Sequence, residues 1–225
     1  MLYYFVTKME NGNGGYYYIP NTIGYIILLL IISTLLILIS LIRSNKTTKK
    51  LQTKQLIFSS LAIALGVVAS FIKFYNLPMG GSITLFSMLF ICLVGYWFGP
   101  KIGIMTSVGY GLLQLFIEPY ILSLPQLILD YILAYGALGL SGFMHNKKYG
   151  LYSGYILGVL GRYIFSFLSG IIFFANFAPK NFNPVIYALL YNGSYLIPEA
   201  AFTLIIITLP PMRYAINNVK KLTVQ

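Results

Sequence analysis

The sequence predicts an all-α integral membrane protein of seven spans: a six-helix bundle preceded by one extra N-terminal helix. Three observations carry this prediction. Hydrophobic residues make up 58% of the 225-residue chain and charged residues only 8%, where an ordinary soluble domain carries about 25% charge. The apolar residues gather into runs that approach or exceed the roughly 20 residues a helix needs to cross a bilayer. The basic residues between those runs fall largely on one side, as cytoplasmic loops do.

Taken in order, residues 23–42 carry no charge and form the first span. No basic region precedes this run and no small-residue cleavage site is evident, so it reads as an uncleaved helix rather than a signal peptide. Residues 44–54 are a polar, basic linker, and residues 56–72 form the second span. A loop with Pro78, Gly80 and Gly81 leads to the third span, 83–98, which Gly99-Pro100-Lys101 ends. The fourth span covers 102–117, the fifth 122–143, the sixth 151–177 and the seventh 185–209. Pro210-Pro211 stops the last one, because proline lacks the N–H that a helix interior needs. The chain thus divides into an N-terminal extension, 1–53, and a six-helix membrane domain, 54–225, with a short tail.

Charge orients these spans. Arg43, Lys46, Lys49, Lys50, Lys54, Lys101, Lys147, Lys148, Arg213, Lys220 and Lys221 fall on one side, and Lys8, Lys73 and Lys180 on the other. The N-terminus is therefore expected outside a cell membrane and the C-terminus in the cytoplasm. The net charge of +11 reads as basic loops facing anionic lipid rather than as a nucleic-acid surface. The one cysteine, Cys92, excludes an internal disulfide framework, and the one histidine, His145, lies in a basic loop. With no H-E-x-x-H and no G-x-S-x-G, nothing marks an enzyme or a metal site.

Only four acids occur, Glu10, Glu118, Asp130 and Glu199. Asp130 lies in a hydrocarbon-length run, where a carboxylate costs roughly 2.5–3.5 kcal/mol and usually serves a ligand, an ion or a partner charge. With a rise of about 1.5 Å per residue, it sits roughly 10–12 Å below the outer end of its helix. Asn192 enters from the same side to a similar depth, and Ser166 and Gly170 approach from below. Tyr120, Tyr187 and Phe174 lie nearer the mouth. A carboxylate, an amide, a hydroxyl and aromatic faces suit a small polar or cationic aromatic molecule. Arg162 and Glu199 read instead as a buried ion pair between the last two helices.

Four segments resemble a known family, the thiamine-specific substrate-binding subunits (ThiT, also YuaJ) of energy-coupling-factor (ECF) transporters. They are Leu77-Pro78-Met79-Gly80-Gly81-Ser82-Ile83-Thr84-Leu85; Gln126 to Tyr131 with Ala134-Tyr135-Gly136; Gly161-Arg162-Tyr163 with Phe167, Ser169-Gly170 and Phe173; and Tyr191 to Tyr195 with Pro198-Glu199. Together they span about residues 54–213, which leaves the N-terminal helix outside. The resemblance implies an ECF S-component-like six-helix bundle that holds thiamine near its outer face. Asp130, beside Tyr131, would hydrogen-bond thiamine where the family more often has glutamate. Tyr120 would form an aromatic wall, Tyr187 and Asn192 would keep the family's five-residue spacing, and Gly170 would let the ligand approach the backbone. Ser166 stands where better-known members carry histidine, and Phe174 where some carry tryptophan.

The same resemblance implies partners: a transmembrane coupling subunit and two ATP-binding subunits. This chain has no phosphate loop and would need no cofactor of its own. Ser60, Ala62, Ala64 and Gly66 offer small surfaces that either dock the coupling subunit or pack within the bundle; the sequence leaves both open. A solitary proton-coupled thiamine carrier and a subunit for another small vitamin are the alternatives. Thiamine itself fits the residues, since aromatic faces attract its thiazolium cation and stack on its aminopyrimidine. No basic cluster appears on the outer side, so free thiamine is expected over its diphosphate.

Overall fold

A computed structural model of the chain describes residues 6–11, 15–26, 52–179 and 182–224. A β-hairpin comes first, β1 (Val6–Asn11) paired antiparallel with β2 (Gly15–Pro20). Residues 22–26 then turn helical. Most of the expected first span, and the linker after it, lie outside the described residues.

The body follows: α1 (Thr53–Phe71), a small hairpin of β3 (Lys73–Asn76) and β4 (Ser82–Thr84), α2 (Ser87–Phe98) and α3 (Pro100–Ile117). Next come α4 (Leu124–Met144), α5 (Gly150–Phe173), α6 (Pro184–Thr208) and α7 (Pro210–Val224). Helices α1, α4, α5 and α6 are long and apolar enough to cross a membrane, and α2 is a shorter apolar helix.

Packing explains the arrangement. Most of α2 is buried, with Met88, Ile91 and Val94 at 0% exposure, and α1, α3, α4 and α5 pack around it. Where α2, α3 and α4 cross, a Cβ on Gly103 would lie 2.7 Å from the Gly95 Cα and 2.9 Å from the Gly139 carbonyl oxygen. Small residues let these backbones meet, as in membrane interiors generally. On α1 the two faces differ in kind. Ala62, Gly66 and Ala69 are buried, while Leu61, Leu65 and Val68 are exposed. A ridge of exposed large apolar side chains is what lipid, not water, tolerates.

Several boundaries differ from the sequence expectation, each for a local reason. The third span starts at Ser87 rather than 83, because residues 82–84 pair with β3 and Phe86 takes a left-handed conformation, φ 61°. The sixth ends at Phe173, and a short 3₁₀ turn, Ala175–Phe177, follows. Pro210-Pro211 does end α6, but the tail beyond is itself a helix, since proline is well suited to a helix's first turn. Helix α7 packs back on the basic end of the bundle. The Lys220 ammonium donates to the His145 carbonyl at 2.6 Å and lies 3.8 Å over the Tyr96 ring, and Lys54 reaches the Leu222 carbonyl.

The body's most irregular helix is α4. Four ordinary residues, Leu124–Leu127, give way to a π-helical stretch, Ile128–Ala134, and then to a 3₁₀ stretch, Ala137–Met144. Asp130 sits in the π stretch. Such widened turns are uncommon and often accompany functional sites.

Candidate ligand-binding site

At the end of the bundle away from α7, the helices enclose a cavity of about 1080 Å³, its open mouth included. Helices α3 to α6 form most of its walls, Ser70 of α1 and Ser87 of α2 add to them, and the turn between β3 and β4, with Met79, Gly80 and Gly81, forms its rim. All eight residues singled out from the sequence line it: Tyr120, Asp130, Tyr131, Ser166, Gly170, Phe174, Tyr187 and Asn192.

Their roles are not equal. The Tyr131 hydroxyl accepts from the Tyr120 N–H at 2.8 Å and donates to the Glu118 carbonyl at 2.7 Å. It is used to hold the loop between α3 and α4 and offers the cavity chiefly a ring. Gln126, 1% exposed, completes that support. Its Nε2 donates to the Tyr120 carbonyl at 3.0 Å and to Asp130 Oδ2 at 2.6 Å, while its Oε1 accepts from the Leu122 N–H at 2.9 Å. One buried amide thus sets both the carboxylate and the base of the aromatic wall. Gln126 stands one helical turn before Asp130, and that spacing is the signal in the sequence that identifies it as a support.

Asn192 is likewise committed. Its Nδ2 donates to the Ala188 carbonyl at 2.9 Å and the Ser166 carbonyl at 3.3 Å, and its Oδ1 accepts from the Tyr195 hydroxyl at 2.8 Å. What it can still offer is a second lone pair on Oδ1. Gly170, which lines the cavity, also serves the packing. A Cβ there would come within 2.9 Å of the Ala188 Cβ and 3.2 Å of Asn192 Nδ2, so its missing side chain first of all lets α5 and α6 close up around Asn192.

Aromatic rings surround the mouth. Tyr120 stacks on Phe174 with centroids 5.8 Å apart and planes 27° apart, and Tyr187, Tyr191 and Tyr195 form a second run at 6.0 and 5.9 Å. The rim is clasped from α6: the Tyr191 hydroxyl donates to the Pro78 carbonyl and accepts from the Gly81 N–H. An ion pair between Lys73 and Glu118 joins the small hairpin to the end of α3.

Arg162 and Glu199 do not form the expected ion pair. Glu199 is 4% exposed and takes up donors at the start of α2: the Thr84 N–H at 3.0 Å, the Thr84 hydroxyl at 2.8 Å, the Ser87 hydroxyl at 3.2 Å and the Met88 N–H at 3.5 Å. It caps that helix from across the bundle, where the unpaired N–H groups and the dipole favour an anion. The Arg162 guanidinium lies 4.1 Å over the Tyr135 ring. Both residues line the cavity, which the sequence reading missed. The signal for Arg162 was there, since residues 162, 166, 170 and 174 recur every four positions along α5.

A membrane-embedded bundle with a deep cavity, one carboxylate held by a neutral amide and aromatic rings at the mouth defines a small-molecule-binding membrane protein. Comparison with known proteins narrows the class. Residues 56–218 match the family described as Thiamine transporter protein (Thia_YuaJ). The chain is 34% identical over 179 residues to the thiamine transporter ThiT of Bacillus subtilis (strain 168), covering 70% of this chain and 92% of that one. It is 27% identical over 95 residues to ThiT of Lacticaseibacillus paracasei, over 36% and 47% of the two chains. The solved structure of ThiT from Listeria monocytogenes superposes with a TM-score of 0.62 at 22% identity, over 75% of this chain and 96% of that one. The chain belongs to the thiamine transporter (Thia_YuaJ) family, and its fold is that of the ThiT membrane bundle.

Proposed function

We propose that this protein captures free thiamine at the outer face of a cell membrane, as the substrate-binding subunit of an energy-coupling-factor transporter. The observation that carries the reading is Asp130, a carboxylate steadied by Gln126 inside an aromatic-mouthed cavity of a chain in this family. Its carboxylate accepts from the pyrimidine amine, and the stacked pair Tyr120 and Phe174 offers an aromatic face to the flat rings and to the thiazolium. Among the described lining residues, Glu118, Asp130 and Glu199 outnumber the one base, Arg162. That balance favours a cation and works against a diphosphate. The N-terminus lies outside and the C-terminal helix in the cytoplasm, with the cavity mouth facing out.

Energy comes from elsewhere: a transmembrane coupling subunit and two ATP-binding subunits. The outward face of α1, where Ser60 and Ala64 are exposed one turn apart, suits helix-to-helix docking. Ala62 and Gly66 face inward and are not part of it.

Titration calorimetry of the purified protein with thiamine and thiamine diphosphate, beside Asp130→Asn and Asn192→Ala, tests the reading. Thiamine binding tighter than diphosphate binding, weakened roughly 10–100-fold by Asp130→Asn, is the expected result. No thiamine binding by folded wild type overturns it. Uptake that survives loss of the ATPases but collapses with the proton gradient overturns the coupling part alone.

A further inference from the structure

The N–H groups of Arg162 find no acceptor among the described residues, in an ion pair or a hydrogen bond. Its guanidinium meets the Tyr135 ring face. Glu199, the one acid that could neutralise it at close range from α6, is held by Thr84, Ser87 and Met88 instead. A guanidinium carries five donors in a rigid fork, and leaving such a group without acceptors in a membrane interior is costly. Its place is on the cavity wall, one turn below Ser166 and two below Gly170. It therefore lies deeper than the aromatic mouth.

Resting on the thiamine reading above, we infer that Arg162 is a specificity-determining residue: it donates to an uncharged acceptor atom on the buried end of the ligand. The acceptor is uncharged because, among the described lining residues, the acids already outnumber this one base, so a buried anion would face net repulsion. A cationic ligand must also turn its charge away from the guanidinium, which leaves the cation toward the mouth and the neutral ring inward. In thiamine the neutral end is the aminopyrimidine. Its amine meets Asp130, and its acceptors are the two ring nitrogens. A carboxylate on α4 and a guanidinium on α5 then read different hydrogen-bonding atoms of the same flat ring.

The test uses the full chain in detergent and three ligands: thiamine, and its N1′-pyridyl and N3′-pyridyl analogues, in which one pyrimidine nitrogen is CH. Wild type, Arg162→Met and Arg162→Gln are compared by calorimetry, with ligand-free melting as the folding control. A lost hydrogen bond to a charged group is expected to weaken one analogue roughly 10–100-fold against thiamine in wild type. That ratio should fall toward one in Arg162→Met, and part of the way in Arg162→Gln. Equal binding of all three ligands by wild type overturns the inference. So does a folded variant that keeps the wild-type ratio, because a purely structural arginine would weaken all three ligands alike. If neither variant folds, the wild-type ratio decides. Absence of thiamine binding in wild type is a different failure, that of the functional reading, and it shows before any ratio is formed.

Discussion

Tyr131→Phe separates a support from a ligand contact with the loss of a single oxygen atom. The hydroxyl is 2.8 Å from the Tyr120 N–H and 2.7 Å from the Glu118 carbonyl, and the residue is 7% exposed. Removing it loses two hydrogen bonds worth about 1 kcal/mol each, and up to about 3 kcal/mol for each backbone group left dry. The loop lies at the cavity mouth, so water can reach part of it, and about 1–3 kcal/mol of lost stability is expected. That loss should appear without ligand, as a lower melting temperature in detergent. Binding should weaken less, roughly 3–10-fold, since the ring stays and only the footing of Tyr120 loosens. A ligand-free melting temperature equal to wild type, together with a loss of binding of about 100-fold or more, would refute this reasoning and make the hydroxyl a direct ligand contact.

Other consequences follow from the same structure. Glu199→Gln should lower ligand-free stability by about 1–3 kcal/mol, because an amide presents an N–H to donors at the start of α2 that need an acceptor; thermal unfolding measures it. Gly81→Ala would bring a Cβ within 2.8 Å of the Tyr191 hydroxyl and 3.0 Å of Tyr195. The rim must shift at a cost of about 1–3 kcal/mol, and thiamine dissociation, followed by stopped-flow fluorescence, should speed up. Leucine at both Ser60 and Ala64 should leave calorimetric thiamine binding unchanged but cut uptake in cells, as their exposed positions touch the bundle little. Binding lost along with uptake would argue against α1 as the docking face.

How much of this was legible in the sequence depends on what kind of force places each residue. The helices of the body were legible because burial in lipid requires long apolar runs, and glycine and proline mark where those runs stop. The eight cavity residues were legible by depth counting and resemblance. Three things were not. The π-helical stretch around Asp130 is a backbone choice stabilised by tertiary packing, and nothing in Ile128–Ala134 spells it. The β3–β4 hairpin is only a few residues long and leaves no periodic signal. The separation of Arg162 from Glu199 was hidden for a different reason. Two opposite charges on adjacent helices make the simplest ion pair, and only the structure reveals that the start of α2 supplies Glu199 with better donors.

That separation bears on which acid a cation would find. Among the described residues three carboxylates line the cavity, and their partners differ in charge and kind. Glu118 at the mouth is paired with Lys73, a full opposite charge. Glu199 at depth is surrounded by two N–H groups and two hydroxyls at a helix start, and the helix dipole adds to their effect. Asp130 has a hydrogen bond from Gln126, a neutral amide that orients a carboxylate without neutralising it. An electrostatic attraction is strongest where the charge is least compensated and water is excluded. Of the three, Asp130 therefore has the most to gain from an incoming cation or amine. Gln126 fixes where that gain is realised, because the same amide also holds Tyr120, the ring against which a flat ligand would lie.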